Sequence, residues 1–454
     1  MDAKISALID SCRDEMVSLI DRWIAVPSVK DTPAENAPFG TEVRRMYDVA
    51  MEDCEKLGLT VRGFDGYAMD ATLGNMDEEP IAVLAHLDVV PAGDGWNTDP
   101  FTATHVGDKI YGRGTSDDKG PAIASLMAMK AIKDAGLALK KPIRLILGCD
   151  EESGWEDMAY YSTHAKMPRV GFSPDAAFPL INTEKGMVHM FMTAPVSAEG
   201  LQVKKLFCGE RVNVIPGECV CEVANEAGLA EKVAAYAAKT GLPYETKVEG
   251  DSLVITATGI PGHSAYPEGR RNAIGMMLLL LEELGVQGCF RTLAQCVGME
   301  SNGEHLGIAC RDEVSGPLTC NMGILHLENG VITCSLDCRC PVCADLPAIE
   351  QSIRDHLTGF TCIESSCKQP HHVPAESELV TALLGAYSEE TGKPAAPQST
   401  GGGTYAKVLE CGVAFGSAFP EDEDLAHQAG EYLEVEKLLL AAKIYANALI
   451  RLCC

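Results

Sequence analysis

The 454-residue sequence has no long apolar run and few basic residues relative to acidic ones. Its longest uninterrupted apolar run, Met276 to Leu281, is far shorter than the roughly 20 residues that cross a bilayer, so we expect no transmembrane segment. With 37 basic against 65 acidic residues the formal charge is −28. Nucleic acid and anionic membrane surfaces would be repelled by this charge, and we therefore expect neither as a partner.

The sequence also lacks a basic leader and a low-complexity linker. Acidic residues interrupt the first apolar segment, MDAKISALIDSCRDEM, which is untypical of a secretory signal, so we expect a cytoplasmic protein. Hydrophobic residues make up 46% of the chain and charged residues 22%, values typical of globular proteins. A chain of this length is predicted to form two domains, with one inserted into the other.

The 19 cysteines match none of the familiar paired CxxC spacings of structural zinc sites. In a reducing compartment they are expected to be thiols rather than a disulfide framework. The densest group, CSLDCRCPVC, fits a strand in which Cys338 and Cys340 alternate with polar residues and act as small hydrophobic side chains. A structural zinc site is the alternative interpretation of this group.

The order of apolar segments predicts an α/β catalytic domain. The runs Ile81 to Val90 and Ile143 to Glu152 are nearly continuous, as is typical of central strands covered on both faces. Between them, Pro121 near a start and Gly136 just past an end predict a helix. We therefore expect a central mixed, mostly parallel sheet flanked by helices. Apolar residues at helical spacing from Ile5 to Trp23 predict one amphipathic helix before it.

After Gly186 the pattern changes to alternating strands with a helix near Asn272 to Leu284, which predicts an inserted α+β lid domain. The boundaries predicted from this change are 1–186 for the first part of the catalytic domain, 187–375 for the lid domain and 376–454 for the second part of the catalytic domain. A final helix is expected from Val435 to Arg451.

Two adjacent acids, Asp117 and Asp118 in YGRGTSDDKG, repel each other unless a cation stabilises them. Other polar residues follow the predicted strands, where ligands of open α/β sheets gather. The candidate metal ligands are two histidines and three carboxylates: His86, Asp117, Glu152, Asp175 and His427. Such a set suits zinc, or cobalt or manganese, and is too rich in nitrogen for calcium or magnesium. If one carboxylate bridges, two metal ions each receive three protein ligands.

The motifs AHLDVVP, YGRGTSDDKGP, GCDEESG, FSPD and EDLAHQAGE occur in the order found in a known family. Over nearly its whole length the chain resembles the dinuclear zinc metallopeptidases that include glutamate carboxypeptidase, carnosinase, aminoacylase and, most closely, the PepV-type dipeptidases. The resemblance implies that His86, Asp117 and Asp175 bind one zinc ion, and that Asp117, Glu152 and His427 bind the other.

The resemblance also implies the roles of residues around the metals. Asp88 would orient a ligand histidine, and Glu151 would act as general base toward a water between the metals. The peptide bond between Asp117 and Asp118 is expected to be cis. In GIPGHSAYPEGRRNA, His263 matches a histidine that stabilises the oxyanion, although Gly262 stands where the family often has alanine.

Further matches concern the substrate. Arg339 in LDCRCP and Asn213 in RVNVIPG match positions that hold the free carboxylate of the substrate in PepV-like enzymes, a task that suits the planar fork of arginine. The loop with Gly402, Gly403 and Thr404 resembles a backbone-donor loop near the substrate. A surface salt bridge for Arg339 and plain flexibility for the glycines are the alternatives.

The resemblance favours a zinc dipeptidase that acts on small dipeptides with free termini. An aspartate at position 175, rather than glutamate, goes with dipeptidases and aminopeptidases in the family, and the long inserted domain goes with a monomer. An amidohydrolase of N-acylated amino acids is the main alternative. A non-catalytic metal or peptide binder and a cysteine-based redox or metal-storage protein are weaker ones.

Overall fold

The computed structural model describes residues 3–423 and 425–454, which pack as two compact units. Unit 1 consists of the described residues up to Asn182, of Val373–Gln398 and of those from Gly403 onward. Unit 2 consists of Thr183–His372 and Ser399–Gly402. This division follows the packing of the chain, and the boundaries of folding domains at 186 and 375 stay a prediction.

The helices and strands are numbered in chain order. Up to residue 184 they are α1 (Ala3–Ser11), α2 (Arg13–Ile24), α3 (Thr41–Lys56), β1 (Thr60–Phe64), β2 (Ala68–Leu73), β3 (Ile81–His86), β4 (Thr104–Val106), β5 (Lys109–Tyr111), α4 (Lys119–Ala135), β6 (Ile143–Gly148), α5 (Glu156–His164), β7 (Val170–Ser173) and β8 (Ile181–Glu184). From residue 186 to residue 372 they are β9 (Gly186–Gly200), β10 (Val203–Cys208), β11 (Val214–Ile215), β12 (Glu218–Ala224), α6 (Leu229–Thr240), β13 (Tyr244–Glu249), β14 (Ser252–Thr258), β15 (Gly262–His263), α7 (Ala273–Glu283), β16 (Val286–Gly288), α8 (Cys289–Cys296), β17 (Arg311–Asp312), β18 (Gly316–Pro317), β19 (Thr319–Glu328), β20 (Val331–Cys340), α9 (Leu346–His356), β21 (Thr361–Lys368) and β22 (His371–His372). The remainder are α10 (Glu378–Thr391), β23 (Gln398–Thr400), a 3₁₀ helix (Tyr405–Val408), β24 (Cys411–Ala414), β25 (Tyr432–Glu434) and α11 (Val435–Cys453).

The central sheet of unit 1 is mixed, as the sequence predicts. Strands β6, β3, β7 and β24 pair in parallel, and β1 and β2 add antiparallel strands beside β6. On the other side, Ile181 of β8 pairs antiparallel with Ala414 of β24. The parallel strands therefore occupy the centre, where their carboxyl ends lie at one edge.

Both faces of this sheet are buried. On strand β3, Val83 and Ala85 belong to the large apolar cluster formed with helices α1, α2, α3, α4, α10 and α11, whereas Ala82 and Leu84 pack in a smaller cluster with α5 and the 3₁₀ helix. Burial on both faces explains why the strands are nearly continuous apolar runs rather than alternating ones. The same burial leaves the strand ends as the places where polar side chains gather.

The amino-terminal helix predicted from Ile5 to Trp23 is wrong as a single element. Helix α1 ends at Ser11 and α2 begins at Arg13, with Cys12 at the junction. The apolar spacing continues across the break because both helices bury one face in the same core. Neither proline nor glycine marks the junction, so the sequence carries no local signal for it.

Helix α4 begins directly after the two acids of the YGRGTSDDKG motif. Its first residue, Lys119, is fully buried, and the Nζ atom donates hydrogen bonds to the carbonyl oxygens of Trp23 (3.0 Å) and Val26 (2.8 Å). The helix ends at Gly136, which has a φ of 70°. Lys119 therefore satisfies the carbonyls at the end of α2 and fixes the start of α4.

Unit 2 contains an antiparallel sheet in the order β13-β14-β12-β10-β19-β20-β9, with β16 and β21 also paired to β9. Alternate residues of strands β9, β12 and β14 enter one apolar cluster with α6, α7, α8 and α9. On the other face Phe207 is 60% exposed. A sheet covered on one face explains the alternating pattern of this part of the sequence and agrees with an α+β arrangement.

The cysteine-rich segment lies on strand β20, as the strand interpretation predicts. Cys334, Cys338 and Cys340 are fully buried, and Cys343 is exposed after the strand ends. Among residues 3–423 and 425–454, no cysteine belongs to a group that could hold a metal ion. Over the same residues, no helix is both long enough and apolar enough to cross a membrane.

Candidate metal centre

Asp117 lies between two histidines in unit 1. Its Oδ1 atom is 3.0 Å from Nε2 of His86, and its Oδ2 atom is 3.1 Å from Nε2 of His427. His427 also lies 3.0 Å from Oε2 of Glu152. His86 is the last residue of β3, whereas Asp117 precedes α4. One carboxylate therefore presents a different oxygen to each of two imidazoles, which is the arrangement a bridging ligand requires.

Glu151 and Glu152 follow strand β6 in a turn that Asp88 holds. The two carboxylate oxygens of Asp88 accept hydrogen bonds from the backbone N–H groups of Glu151 and Glu152, each at 3.1 Å. Asp88 also contacts His86, through its backbone carbonyl 2.9 Å from Nδ1 and its carboxylate 3.4 Å from that atom. Asp88 thus connects His86, at the end of strand β3, to Glu151 and Glu152 in the turn after strand β6.

Asp175 follows strand β7 and completes the cluster. Its Oδ2 atom is 3.7 Å from Nε2 of His86. Oxygens of Asp175 and Glu151 and a nitrogen of His86 all lie within 4.8 Å of one another, as do ligand atoms of His86, Asp117 and Glu152. The structure therefore brings the five predicted ligands and Glu151 together at the carboxyl edge of the parallel strands.

The peptide bond between Asp117 and Asp118 is cis, as the family resemblance implies. The Oδ2 atom of Asp118 accepts a hydrogen bond from the backbone N–H of His86 at 3.1 Å. The second acid of the motif therefore binds the end of strand β3.

The carboxylates of the cluster repel one another in a buried setting. Burial and the neighbouring Asp175 hold the pKa of Glu151 well above its ordinary value, and burial together with Asp117 raises the pKa of Asp175 to about 7. Burial also acts to raise the pKa of Asp117, but hydrogen bonds with His427 and His86 outweigh it and lower that pKa. Hydrogen bonds with Asp117 and Glu152 raise the pKa of His427 to about 10. The cluster of carboxylates therefore favours a positively charged group or ion beside it.

The donor set fits a transition-metal ion. Imidazole nitrogens and carboxylate oxygens are the ligands that zinc, cobalt and manganese accept in proteins. In addition, Oε1 of Glu152 is buried without a hydrogen-bond partner among the described residues. A buried charged oxygen of this kind is stabilised when it binds a cation. Residues His86, Asp117, Glu152 and His427 are therefore suited to hold metal.

Metal binding is expected to stabilise the folded protein. Saturating Zn²⁺ added to chelator-treated protein should raise the unfolding midpoint, since a ligand at about 1,000 times its Kd adds about 4 kcal/mol. Differential scanning calorimetry measures this shift, and Asp117→Asn should abolish most of it. Equal midpoints with and without metal would contradict the assignment.

Glu431 is a fully buried carboxylate that organises the loop before Asp117. It accepts hydrogen bonds from the backbone N–H groups of Gly114 (3.0 Å), Ser116 (2.8 Å) and Asp117 (3.3 Å). It also pairs at 2.6 Å with Nη1 of Arg113, whose side chain is equally buried. Because Glu431 follows His427 by four residues, it connects the loop of one ligand to the loop of another.

Two further acids hold the turn that carries Glu151. Asp157 accepts hydrogen bonds from the backbone N–H groups of Cys149 (2.6 Å) and Asp150 (2.9 Å), and from the hydroxyl of Tyr405. Asp150 is buried and pairs with Lys30 at 2.6 Å. These contacts fix the backbone on the strand side of the glutamates.

The positioning roles of Glu431, Arg113 and Asp157 were not predicted from the sequence. Glu431 and Arg113 stand inside the quoted motifs EDLAHQAGE and YGRGTSDDKGP, so charged residues next to glycine in those motifs were the available signal. Asp157 lies five residues after Glu152 at the start of a helix. Acidic residues are common there because they interact favourably with the helix dipole. The partners of these residues are distant in sequence, and one sequence does not reveal them.

Asp157 is expected to make stability depend on pH. Burial raises its pKa from 3.8 to about 7, against the opposing hydrogen bond from Tyr405. The folded protein therefore keeps a proton that the unfolded chain releases, so this group's contribution to the free energy of unfolding is lost as the pH rises from about 4 to about 7. The loss is up to about 4 kcal/mol at about 1.36 kcal/mol per pKa unit.

The variant Asp157→Asn cannot titrate and tests this dependence. Its free energy of unfolding relative to wild type should increase between about pH 4.5 and pH 7, as measured by urea denaturation at several pH values. Parallel pH profiles for the two proteins would show that Asp157 is ionised in the folded state.

The predicted substrate-binding residues of unit 2 lie close together. The backbone carbonyl of Asn213 accepts a hydrogen bond from Ser264 at 3.0 Å, and strand β11, which follows Asn213, pairs with strand β15, which contains His263. The carbonyl of Gly401 accepts a hydrogen bond from Nη1 of Arg339 at 2.7 Å. Asn213, His263, Arg339 and the residue before Gly402 therefore belong to one connected set of contacts.

Arg339 is more firmly bound than a surface arginine. It is 5% exposed, and its Nε and Nη2 atoms lie 2.9 and 3.0 Å from the two carboxylate oxygens of Asp337. His189 lies 3.0 Å from the same carboxylate, which also accepts a hydrogen bond from Ser264. The alternative of a surface salt bridge is therefore wrong, because the ion pair is buried. A role for Arg339 toward a substrate stays a prediction.

The remaining residues of the glycine loop divide between the units. Gly402 belongs to unit 2, where its N–H donates to Oγ1 of Thr400 at 3.1 Å. Gly403 and Thr404 belong to unit 1, and the hydroxyl of Thr404 caps the 3₁₀ helix by accepting a hydrogen bond from Ala406 at 3.2 Å. Binding of substrate by Gly402, Gly403 and Thr404 stays a prediction.

A mixed α/β sheet with histidines and carboxylates gathered near the ends of its parallel strands is an arrangement suited to a metal-dependent enzyme. Residues 82–451 match the family model described as "Peptidase family M20/M25/M40", which covers more than half of the chain. The chain belongs to this peptidase family, and the resemblance drawn from the motifs is confirmed.

Full-length relatives accompany this match. "Putative dipeptidase YtjP" of Bacillus subtilis (strain 168) is 35% identical over 453 residues, which is 97% of each chain. "Putative dipeptidase SAUSA300_1697" of Staphylococcus aureus (strain USA300) is 31% identical over 466 residues, which is 98% of each. These relatives match the protein over nearly their whole length.

Solved structures support the fold. The dipeptidase Dug1p of Saccharomyces cerevisiae has a TM-score of 0.62 at 14% identity, covering 99% of this chain and 98% of its own. Human carnosine dipeptidase 1 has a TM-score of 0.57 at 16% identity, with the same coverage. At such identities the likeness shows the fold alone.

Proposed function

We propose that the protein is a zinc-dependent dipeptidase that hydrolyses the peptide bond of small dipeptides with free termini. One observation carries the proposal: Asp117 lies between His86 and His427 while Asp88 holds Glu151 beside the same histidine. This places a carboxylate that can accept a proton next to a set of metal ligands. The dipeptidase descriptions of two full-length relatives support the substrate class.

Three residues of the chain have proposed roles in hydrolysis: Glu151, Asp88 and His263. Glu151 takes a proton from the attacking water and delivers it to the leaving amine, a role suited to a carboxylate that lies beside the proposed metal ligands. Bound metal would supply a Lewis acid and lower the pKa of the water toward about 7. Asp88 keeps Glu151 and Glu152 in fixed positions through their backbone N–H groups. His263 is proposed to donate to the oxyanion, by family resemblance.

The metal is proposed to be zinc, with two ions per chain. Asp117 offers one oxygen to each histidine, which supports a bridged pair of ions. Cobalt or manganese are the proposed substitutes, since both accept the same donors. Metal analysis by mass spectrometry of the purified protein should give about two equivalents of zinc per chain.

A dipeptide panel tests the proposed function. Metal-loaded protein should hydrolyse Ala-Leu and β-Ala-His, and should leave N-acetyl-Leu intact. Cleavage of only the acetylated compound would move the protein to the amidohydrolases of N-acylated amino acids. No cleavage by fully metallated protein would favour a metal or peptide binder. Full activity after all thiols are alkylated would exclude a cysteine-based reaction.

The remaining proposals concern assembly and location. A monomer is proposed because the long inserted segment goes with self-sufficient members of the family, and light scattering on the metal-loaded protein tests it. Small dipeptides are the proposed partners, and neither nucleic acid nor membrane is expected at a net charge of −28. A cytoplasmic location stays a prediction.

A further inference from the structure

Two neighbouring arginines of unit 2 have no acidic partner among residues 3–423 and 425–454. Arg270 and Arg271 follow His263 in the motif GIPGHSAYPEGRRNA, in a chain with 65 acidic residues. Among the part of the chain that the structure describes, neither guanidinium group forms an ion pair, and Nε of Arg271 is buried without a hydrogen-bond partner. An unsatisfied buried donor on a charged group is costly unless a ligand binds it.

Both arginines line a small cleft in unit 2 that is open to solvent. Most of its other polar groups are already bonded. Asn272 accepts hydrogen bonds from the first turn of α7 and donates to Asn321. Glu300, the one carboxylate of the lining, is paired with His305. The two guanidinium groups are therefore the charged donors of the cleft that are left for a ligand, beside the hydroxyl of Ser301.

The cleft adjoins the strand pair that contains His263. Ile215, which also lines the cleft, pairs with Gly262 in the register of β11 and β15. The side chain of Arg270 lies directly over Gly262, because a Cβ atom built there would be 2.8 Å from both Cδ and Nε of Arg270. The glycine thus makes room for Arg270 next to His263, which accounts for the absence of the alanine that the family often has.

The chemistry of the cleft selects the ligand. An arginine fork pairs bidentately with a carboxylate, and such charge-assisted hydrogen bonds are the strong ones. Helix α7 begins two residues after Arg271. The N-terminus of a helix carries partial positive charge, which also favours an anion. Peptides carry carboxylate groups but no phosphate groups, so a carboxylate is the anion that we expect at these arginines.

We propose that Arg270 and Arg271 form a carboxylate-binding site, and that through it the protein prefers dipeptides with an acidic side chain. The preference rests on the proposed dipeptidase function, whereas the binding site does not. The carboxylate comes either from a substrate side chain or from a free dicarboxylate, and the two arms of the experiment separate these sources.

The first arm measures binding without catalysis. Succinate is titrated into the metal-loaded protein by calorimetry, for wild type and for Arg270→Met, Arg271→Met and Arg271→Lys. We expect each methionine variant to bind at least about tenfold more weakly, and the lysine variant to lie between them and wild type. Arg354→Met is the matched control, since it removes an arginine of α9 in the same unit, outside the cleft. Inorganic phosphate serves as the competing anion.

The second arm measures selectivity. The ratio of kcat/KM for Ala-Glu over Ala-Gln, and for Glu-Ala over Gln-Ala, compares a carboxylate with an amide of the same shape. We expect a ratio above one in wild type for at least one pair, which falls about tenfold in Arg270→Met through KM and stays unchanged in Arg354→Met.

The outcomes are distinct. Succinate binding that depends on both arginines supports the site, and an arginine-dependent Glu/Gln ratio assigns the carboxylate to the substrate. Arginine-dependent binding with a flat ratio supports the site and assigns it to a free dicarboxylate. If no dipeptide is cleaved, the proposed function fails while the binding arm still decides on the site. Binding that is absent, or equal in all variants, overturns the proposal.

Discussion

Glu151→Gln is expected to lower kcat by about three orders of magnitude while the protein keeps its metal and its fold. General acid–base catalysis contributes about 10²- to 10⁴-fold, and glutamine retains the shape of glutamate but cannot accept the proton. The turn should remain in place because Asp88 binds the backbone N–H groups of Glu151 and Glu152 rather than their side chains. Steady-state kinetics on a cleaved dipeptide, together with metal analysis, measures both quantities.

A nearby carboxylate supplies the control. Glu156 is exposed at the start of α5, and Glu156→Gln removes the same charge from the same segment without touching the cluster. It should keep kcat within about twofold, as is usual for surface substitutions. A Glu151→Gln variant with kcat near that of wild type would mean that another group activates the water. A variant without metal would mean that Glu151 is a ligand.

Glu431→Ala is expected to cost about 3–5 kcal/mol of unfolding free energy and to weaken metal binding at least about tenfold. The substitution leaves the buried guanidinium of Arg113 without its partner and removes the acceptor of three backbone N–H groups before Asp117. The loop would then present Asp117 less accurately to the metal. Urea denaturation and calorimetric titration with Zn²⁺ measure the two effects.

A double-mutant cycle separates the effect of the unpaired Arg113 charge from the effect of the lost hydrogen bonds in the loop before Asp117. Arg113→Met combined with Glu431→Ala removes both members of the buried pair and should recover part of the stability that Glu431→Ala loses, because no unpaired charge remains. Metal affinity should stay low if Glu431 positions Asp117. Glu436→Gln, an exposed position on α11, is the control for charge. Unchanged stability and affinity in Glu431→Ala would refute the positioning role.

The parts of the fold that follow from local sequence were predictable. Strands β3 and β6 follow from apolar runs, yet they end at His86 and Gly148, earlier than the predicted Val90 and Glu152. The polar residues that were included in those predictions lie in turns at the metal centre. The break between α1 and α2 was not predictable, since the apolar spacing continues through Cys12.

The candidate site was predictable where motifs carry it. Asp117 and His427 were identified from short patterns around them, and the structure brings them within 3.1 Å. The pairing of Glu431 with Arg113 joins positions 318 residues apart, which no spacing rule in a single sequence reveals. The contact between Asp337 and Arg339 was not predicted either, although the two residues are two positions apart and so lie on the same face of strand β20.

The segments of unit 1 are separated in the chain by unit 2, and this has a consequence during translation. The ribosome completes His86, Asp117, Glu152 and Asp175 about 250 residues before it reaches His427. At about 5–20 residues per second, the nascent chain holds an incomplete set of ligands for roughly 10–50 s. Glu431 and helix α11 arrive later still. The set of predicted metal ligands is therefore complete only near the end of synthesis, and a truncated chain that lacks the last segment would lack His427 and Glu431.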